Sequence, residues 1–268
     1  MTALAAVRPP SEALTRGATL THLPRAKVDP DLLLLQHAGY CAALEEGGVR
    51  VVSLPVLPDL PDATFVEDLG VAVPGIFIWG RSTAPARREE RRRTLAALGA
   101  RGWDGLAAGL PGAGWVSHRI EAPGSLDGGD VLLAGRTVLV GRSGRTNAAG
   151  IRQVAAILEP LGYRVRSVAV SGALHLKTAC TALDDETLLV NPGWVRGEEL
   201  GGFRLVAVDS AEPFGANVLP VRGGLLVPSS APRTRERVED LGYATTAVDV
   251  SEFEKAEGGL TCLSLRLP

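Results

Sequence analysis

Cysteine is scarce: the 268 residues hold three, Cys41, Cys180 and Cys262, far apart and in no CxxC spacing. That argues against a disulfide framework or a cysteine-rich zinc site and favours a reducing compartment. Long apolar runs are also missing. The longest, Gly70 to Gly80, is broken by Pro74 and Gly75 and is too short to span a bilayer. Met1 to Pro10 lacks a cationic segment followed by an apolar one, so no secretory leader is read there and a soluble, cytoplasmic protein without a membrane partner is expected. Charge of one sign is lacking too, with 28 Lys plus Arg against 30 Asp plus Glu and no long one-sign block. Nucleic acid is therefore not an expected partner, because binding phosphates needs a concentrated basic face. The densest basic stretch, Arg87 to Arg93, carries Glu89 and Glu90 within it and reads as a helix surface with a Glu89/Arg93 pair at i,i+4.

What is present is enough apolar residue, 46% of the chain, to build one substantial core. A single catalytic domain over residues 1–268 is expected. One segment shows its grammar plainly. Asp130 to Ala134 reads as a strand, Gly135-Arg136 as a turn, and Thr137 to Gly141 as a returning strand. A helix follows from about Thr146 to Leu161, with Ile151, Val154, Ala155 and Leu158 at helical spacing; Gly162 stops it, and Tyr163 to Val170 alternates as a third strand. The same order can be laid over Val66 to Leu110, Thr181 to Val208 and Asn217 to Val250. A fifth copy requires the C-terminal strand Thr261 to Leu267 to join the N-terminal helix Asp29 to Glu46 and strand Val49 to Leu54, closing a ring. An ordinary mixed α/β sheet is the alternative, since the copies share no strict sequence period.

Four clusters carry possible chemistry. Glu257-Gly258-Gly259-Leu260-Thr261-Cys262 places a thiol off the face shared by Leu263, Leu265 and Leu267, just after two glycines that permit close approach. A lone cysteine is ordinarily a small buried hydrophobe, the reading kept for Cys41 and Cys180. A thiol nucleophile needs a base or electrostatic help. Of the four histidines, His175 is best placed, in the strand-like Leu174-His175-Leu176-Lys177-Thr178, although a structural histidine is the commoner case. Phe65-Val66-Glu67-Asp68 sets two carboxylates in an apolar, strand-like run after Asp62, which suggests a cationic ligand unless the acids are simply exposed at a strand end. Leu126-Asp127-Gly128-Gly129-Asp130 sets two acids around a glycine pair at a hairpin entry, where turn chemistry accounts for the glycines and one acid only.

Taken in order and at these spacings, Phe65-Val66-Glu67-Asp68, Leu126 to Leu132, Leu174-His175-Leu176-Lys177 and Gly259-Leu260-Thr261-Cys262 resemble the dimethylarginine dimethylaminohydrolases. The likeness runs from about Arg16 to the end; the first fifteen or so residues fall outside it and read as an N-terminal extension. The resemblance implies the five-bladed α/β propeller of the pentein superfamily, built of ββαβ units. It implies hydrolysis of Nω-methylated arginine to citrulline and a methylamine through a covalent cysteine adduct, with no metal or organic cofactor and a small molecule as partner. As to roles, it implies Cys262 as nucleophile, His175 as general acid/base, Asp127 orienting His175, and Asp68 on the guanidinium with Glu67 beside it. Asp62, Arg87 and Arg145, with backbone near Leu23 and Glu257, are implied to hold the amino-acid end. Gly70 and Thr64 depart from residues usual in the family without removing a functional group. An arginine or agmatine deiminase or an amidinotransferase of the same fold is the rival enzyme. A silent arginine-binding module and a generic Cys-His amidase are more distant alternatives. Monomer and homodimer are both open.

Overall fold

The computed structural model describes residues 4–99 and 115–268. Along the chain, strand β1 (Leu4–Val7) is followed by helices α1 (Glu12–Gly17) and α2 (Pro30–Glu46) and by β2 (Arg50–Ser53). A first complete unit contains β3 (Gly70–Val73), β4 (Ile76–Trp79), helix α3 (Pro85–Leu98) and β5 (Val116–Arg119). Residues 100–110 of the repeat expected over Val66 to Leu110 lie outside the described residues. The second unit is β6 (Val131–Ala134), β7 (Thr137–Arg142), α4 (Ala148–Leu158) and β8 (Arg164–Ala169). After the one-turn helix α5 (Leu176–Ala179) come β9 (Cys180–Ala182), β10 (Thr187–Val190) and β11 (Arg204–Ala207), then β12 (Leu219–Val221), β13 (Gly224–Pro228), α6 (Pro232–Asp240) and β14 (Thr245–Val248). Helix α7 (Ser251–Glu254) leads to the last strand, β15 (Ser264–Leu267).

These strands form five three-stranded sheets, and each obeys one rule: an antiparallel first pair, then a parallel third strand. The fold is a five-bladed α/β propeller. Its fifth sheet, ordered β15-β1-β2, is assembled from both ends of the chain, with Leu4 opposite Leu267 and Val7 opposite Ser264. Reading the first residues as an extension outside the fold is thus corrected, because β1 is the central, fully buried strand of that sheet. Its four apolar residues are too few to announce themselves, but they complete the hydrogen bonding of two other strands. The third unit also differs from expectation. Between β10 and β11 runs only a 3-10 turn, Gly197–Leu200, instead of an α-helix. Helix α4 needs less correction: Asn147 caps it by accepting from the Gly150 amide, and Gly162, at φ +82°, ends the 3-10 turn that follows.

Five apolar clusters fill the seams between neighbouring blades. One packs Leu4 and Ala6 of β1 and Leu265 of β15 against Phe77 and Trp79 of β4; another sets Val71 and Ile78 against Val138 and Val140. The first strands of all five sheets, β3, β6, β9, β12 and β15, line a central cavity of about 260 Å³.

One buried polar knot braces the blade that carries Asp68. Arg8 donates through Nη1 to Glu90 Oε1 at 2.6 Å and to the Ala63 carbonyl at 2.6 Å, and through Nη2 to Thr94 Oγ1 at 2.7 Å. Glu90 also pairs with Arg87, so one buried carboxylate faces two cations. Arg8→Met removes one of them and leaves the other polar groups buried. A loss of about 3–5 kcal/mol is expected, in line with breaking other buried ion pairs. Urea denaturation at pH 7 measures it.

Candidate active site

The three acidic and cysteine-bearing motifs end in tight 3-10 turns at the mouth of the ring: Val66–Leu69, Gly128–Asp130 and Thr261–Leu263. His175 directly precedes helix α5. Two sequence expectations are corrected here. Neither Glu67-Asp68 nor His175 lies on a strand; each sits where the chain turns into or out of a blade. Alternating leucines around His175 mimicked strand periodicity because Leu174 lines the cleft while Leu176 enters the core.

One narrow cleft is lined by Asp62, Asp68, Arg87, Asp127, Arg145, His175, Glu257 and Cys262, together with Thr19, Phe65, Leu174 and Ala256. Eight of the ten site residues expected from the sequence therefore meet; the exceptions are Glu67 and Leu23. His175 Nε2 stands 3.4 Å from Asp127 Oδ2 and 3.8 Å from Asp68 Oδ1. Asp68 Oδ1 accepts the Gly129 amide at 3.0 Å, and Asp68 Oδ2 accepts from Arg87 Nη2 at 3.3 Å. Below the histidine, buried Asp130 accepts the Leu176 amide at 2.9 Å and the Ser143 hydroxyl at 2.6 Å, which fixes the backbone that carries the ring.

Electrostatics follow from this crowding. Burial opposes a charge on His175, but Asp68, Asp127 and Asp130 overcome it and raise the pKa to about 10, so the ring is an imidazolium at neutral pH. For Asp68, burial pushes upward, yet His175, Arg87, the Gly129 amide and Arg145 together hold the carboxyl below its usual range. Burial, and then Glu67 and Asp68, push the Cys262 thiol up to about 12. The resting site is a neutral thiol beside a charged histidine. Donor atoms of Asp68, Asp127 and His175 lie within 4.8 Å of one another, a spacing that could suit a metal ion. His175 Nε2 is within hydrogen-bond distance of Asp127 and 3.8 Å from Asp68, and a proton on that nitrogen has to leave before the ring can ligate an ion.

Glu67, expected beside Asp68 at the ligand, is not among the residues that line the cleft. Its carboxylate points away from the cleft into the central cavity, where it pairs with Lys177 at 2.5 Å and accepts from Thr261 Oγ1 at 2.8 Å. Adjacent side chains in a 3-10 turn diverge, so only one of two consecutive acids can face the cleft. Lys177, Thr261 and Asn217 escaped notice as site components. Asn217 receives the Thr261 amide at 3.0 Å and donates to the Lys177 carbonyl at 2.8 Å, holding the turn that presents Cys262. Lys177 and Thr261 stand inside the sequence motifs, but nothing local gave any of the three a role, because each is a common polar residue whose partner is remote in sequence.

Arg87 is 7% exposed, unlike the surface reading of the basic stretch it begins, and its nitrogens already serve Glu90, Asp68 and the carbonyls of Asp62 and Phe65. It anchors Asp68 here. Arg145, by contrast, is half-buried at the cleft, with no ion pair formed by its guanidinium among the described residues. The segment near Leu23 is tied down: Glu257 Oε1 accepts the amides of Thr21 at 2.9 Å, His22 at 2.5 Å and Leu23 at 2.6 Å, and Asp62 accepts that of Thr19 at 3.0 Å. Glu257 does so from a left-handed backbone, φ +59°, which a side chain beyond Cβ makes costly and which the three amides help to hold.

The glycine pair of each motif has a steric duty. A Cβ on Gly129 would lie 2.7 Å from His175 Nδ1 and 2.9 Å from Asp68 Oδ1; one on Gly258 would strike the Phe65 ring at 2.2 Å. Gly129→Ala is therefore expected to displace the imidazole and lower kcat by tenfold or more while the melting temperature moves little, checked by steady-state assay beside thermal unfolding.

Comparison with known proteins came to the same place. The arginine deiminase family model matches residues 55–203. A dimethylarginine dimethylaminohydrolase of Streptomyces coelicolor is 41% identical over 264 residues, covering 98% of this chain and 96% of that protein. Its counterpart in Pseudomonas aeruginosa is 35% identical over 97% of each. The Pseudomonas aeruginosa enzyme, solved as a cysteine-to-serine mutant complexed with citrulline, superposes with a TM-score of 0.85 at 33% identity over all of both chains. The N-terminal domain of ArgZ, an arginine dihydrolase, gives 0.85 at 17% identity over 100% of this chain and 98% of that one, a likeness of fold alone.

Proposed function

Since the chain belongs to the dimethylarginine dimethylaminohydrolase family, we propose that it hydrolyses Nω-methylated arginine to citrulline and a methylamine, with Cys262 as nucleophile and His175 as the proton carrier. The observation that carries this reading is the meeting of a thiol, an imidazolium and two carboxylates, Asp68 and Asp127, in one cleft.

A guanidinium carbon is a weak electrophile because its charge is spread over three nitrogens, so the site must supply a thiolate and hold the carbon in reach. With the thiol raised to about 12, little thiolate exists before the ligand arrives. The incoming cation supplies what is missing: a positive charge beside sulfur lowers the thiol pKa, the thiol proton passes to solvent because His175 already carries one, and Asp68 offsets the desolvation of that cation. Sulfur then adds to the guanidinium carbon. His175, already protonated, gives its proton to the departing nitrogen, and methylamine or dimethylamine leaves. A thiouronium adduct remains on Cys262. The now neutral His175 takes a proton from water, the hydroxide adds to the same carbon, and collapse expels the sulfur, which takes up the hydroxyl proton to restore the thiol as citrulline is freed. Asp127 favours the charged ring in the first half-reaction and orients it in the second.

At the far end of the ligand, Arg145 is the guanidinium best placed to meet an α-carboxylate, and Asp62 and Glu257 lie where an α-ammonium is favoured once the segment Thr19–Leu23 releases them. The deciding assay sets asymmetric dimethylarginine, monomethylarginine, arginine and agmatine side by side and measures citrulline, dimethylamine and ammonia. Citrulline with one equivalent of dimethylamine is expected; ammonia and citrulline from arginine, with no turnover of the methylated forms, would make the chain a deiminase instead.

A further inference from the structure

Asp130 stands where three segments of the site come together. It directly precedes β6, and the antiparallel register that sets Val131 opposite Val140 brings it beside Gly141 and the turn that follows β7. It is fully buried. Gly141 leaves it room: a Cβ there would lie 2.7 Å from Asp130 Oδ1 and 2.8 Å from Leu176 Cβ, so the carboxylate meets the start of α5 over a bare backbone.

Its two oxygens hold different segments. Oδ1 accepts the Leu176 amide at 2.9 Å, one residue beyond His175. Oδ2 accepts the Ser143 hydroxyl at 2.6 Å, and Ser143 Oγ in turn accepts the amides of Arg145 at 3.0 Å and Thr146 at 3.2 Å. The direction of this relay is fixed, because a hydroxyl has one proton and two lone pairs; two amides occupy the lone pairs, and the proton goes to Asp130. A further link reaches the third segment, where Thr146 Oγ1 accepts the Asp127 amide at 3.2 Å. The turns that present His175, Arg145 and Asp127 are thus tied to one buried carboxylate.

A ligand gripped at both ends needs such a tie. His175 acts at the reacting carbon and Arg145 at the α-carboxylate, and a misplacement of about 1 Å can lower the rate about 10²-fold. We infer that Asp130 is the positioning residue that sets the spacing between His175 and Arg145. The assignment rests on the arginine-derivative reading of the cleft, and Asp130 itself is not among the residues that line it. Its charge acts in the same place. Burial raises the Asp130 carboxyl to about 6, while the His175 charge, the Ser143 and Thr146 hydroxyls and the Leu176 amide work the other way. From neutral pH upward it is an anion near the imidazolium and helps to keep the proton on His175.

Asp130→Asn tests both oxygens. The amide keeps the shape but turns its NH₂ toward either the Ser143 hydroxyl or the Leu176 N–H, so one donor faces another in both orientations, and the anion is gone. A loss of about tenfold or more is expected in kcat and in citrulline affinity measured by calorimetry. NMR of histidine-labelled protein, with the His175 resonance identified by its loss in His175→Gln, should show the His175 pKa lowered by about one unit. Ser143→Ala cuts only the arm to Arg145: citrulline affinity should fall about tenfold with the His175 pKa unmoved, and Ser143→Thr, which keeps the hydroxyl, should restore it. Thermal unfolding shows which variants are folded; if Asp130→Asn is not, the two Ser143 variants decide. Full citrulline affinity in Asp130→Asn and Ser143→Ala, a loss that Ser143→Thr shares, or a His175 titration indifferent to Asp130→Asn would each overturn the assignment. An unsubstituted chain that neither turns over methylated arginine nor binds citrulline would overturn the functional reading instead, and the ligand-free His175 titration would still decide the place of Asp130.

Discussion

Cys262→Ser is expected to reduce kcat by about 10⁴-fold or more while leaving citrulline binding and thermal stability close to those of the unsubstituted protein. Nucleophiles that work as a unit with a base lose most of their rate when replaced. The structure gives the reason in this case. A thiol at about 12 can still be drawn into ionisation by an arriving cation, whereas a hydroxyl starts several units higher and no group in the cleft is poised to deprotonate it, since His175 already carries a proton. Sulfur half-buried in a turn held by the Thr261–Asn217 pair exchanges for oxygen without opening a cavity, so the fold is not expected to notice. Rapid quench and mass spectrometry of the intact protein provide the check: the unsubstituted chain should accumulate a covalent adduct and the serine form none. Turnover persisting within tenfold would remove Cys262 from the mechanism.

The second large effect belongs to Asp68→Asn, which should lower kcat/KM by two to four powers of ten and move the alkaline limb of its pH profile downward. Two consequences add. The amide cannot compensate a buried guanidinium, and leaving a buried charge unpaired amounts to about 3–5 kcal/mol, or roughly 10² to 10³·⁵ in rate. Asp68 is also the foremost carboxylate raising His175 to about 10. In the proposed mechanism His175 must carry its proton to expel the amine, so activity is expected to fall as pH rises through the imidazolium pKa. Removing an anion lowers that pKa, and the falling limb arrives at lower pH. A profile of kcat/KM from pH 6 to 10.5 reads both effects; a uniform loss with an unmoved limb would mean that Asp68 binds the ligand but does not tune the histidine.

Much of this site was legible in the sequence because its residues come in short motifs with glycines at fixed places. Asp127-Gly128-Gly129-Asp130 announced a tight turn with surplus acid, and the structure uses every member: Asp127 toward His175, Gly128 against the Glu67 and Gly70 carbonyls, Gly129 flat against the ring, Asp130 under the backbone of Leu176. The ring of five units could be read from turn glycines and helix stops such as Gly162, Gly223 and Gly242, all with positive φ. Direction was harder to see. Whether Glu67 faces the cleft or the cavity depends on the pitch of one 3-10 turn, and composition is blind to that. The role of Arg8 was equally hidden, since its partners Ala63, Glu90 and Thr94 are 55 to 86 residues away. β1 was missed because four apolar residues just before Pro9-Pro10 read as a mere extension when their partners, β15 and β2, are not in view.

The interleaving of β1 between β15 and β2 sets an order of assembly. On a ribosome, β1 emerges early and can lie parallel to β2, but its other edge stays open until Ser264–Leu267 has been synthesised, some 250 residues later. Contacts of such separation form slowly and expose strand edges in the interval. The thiol arrives with the clasp: a single residue, Leu263, separates Cys262 from β15, so no nascent chain can hold that sulfur in a finished pocket before the last blade has shut.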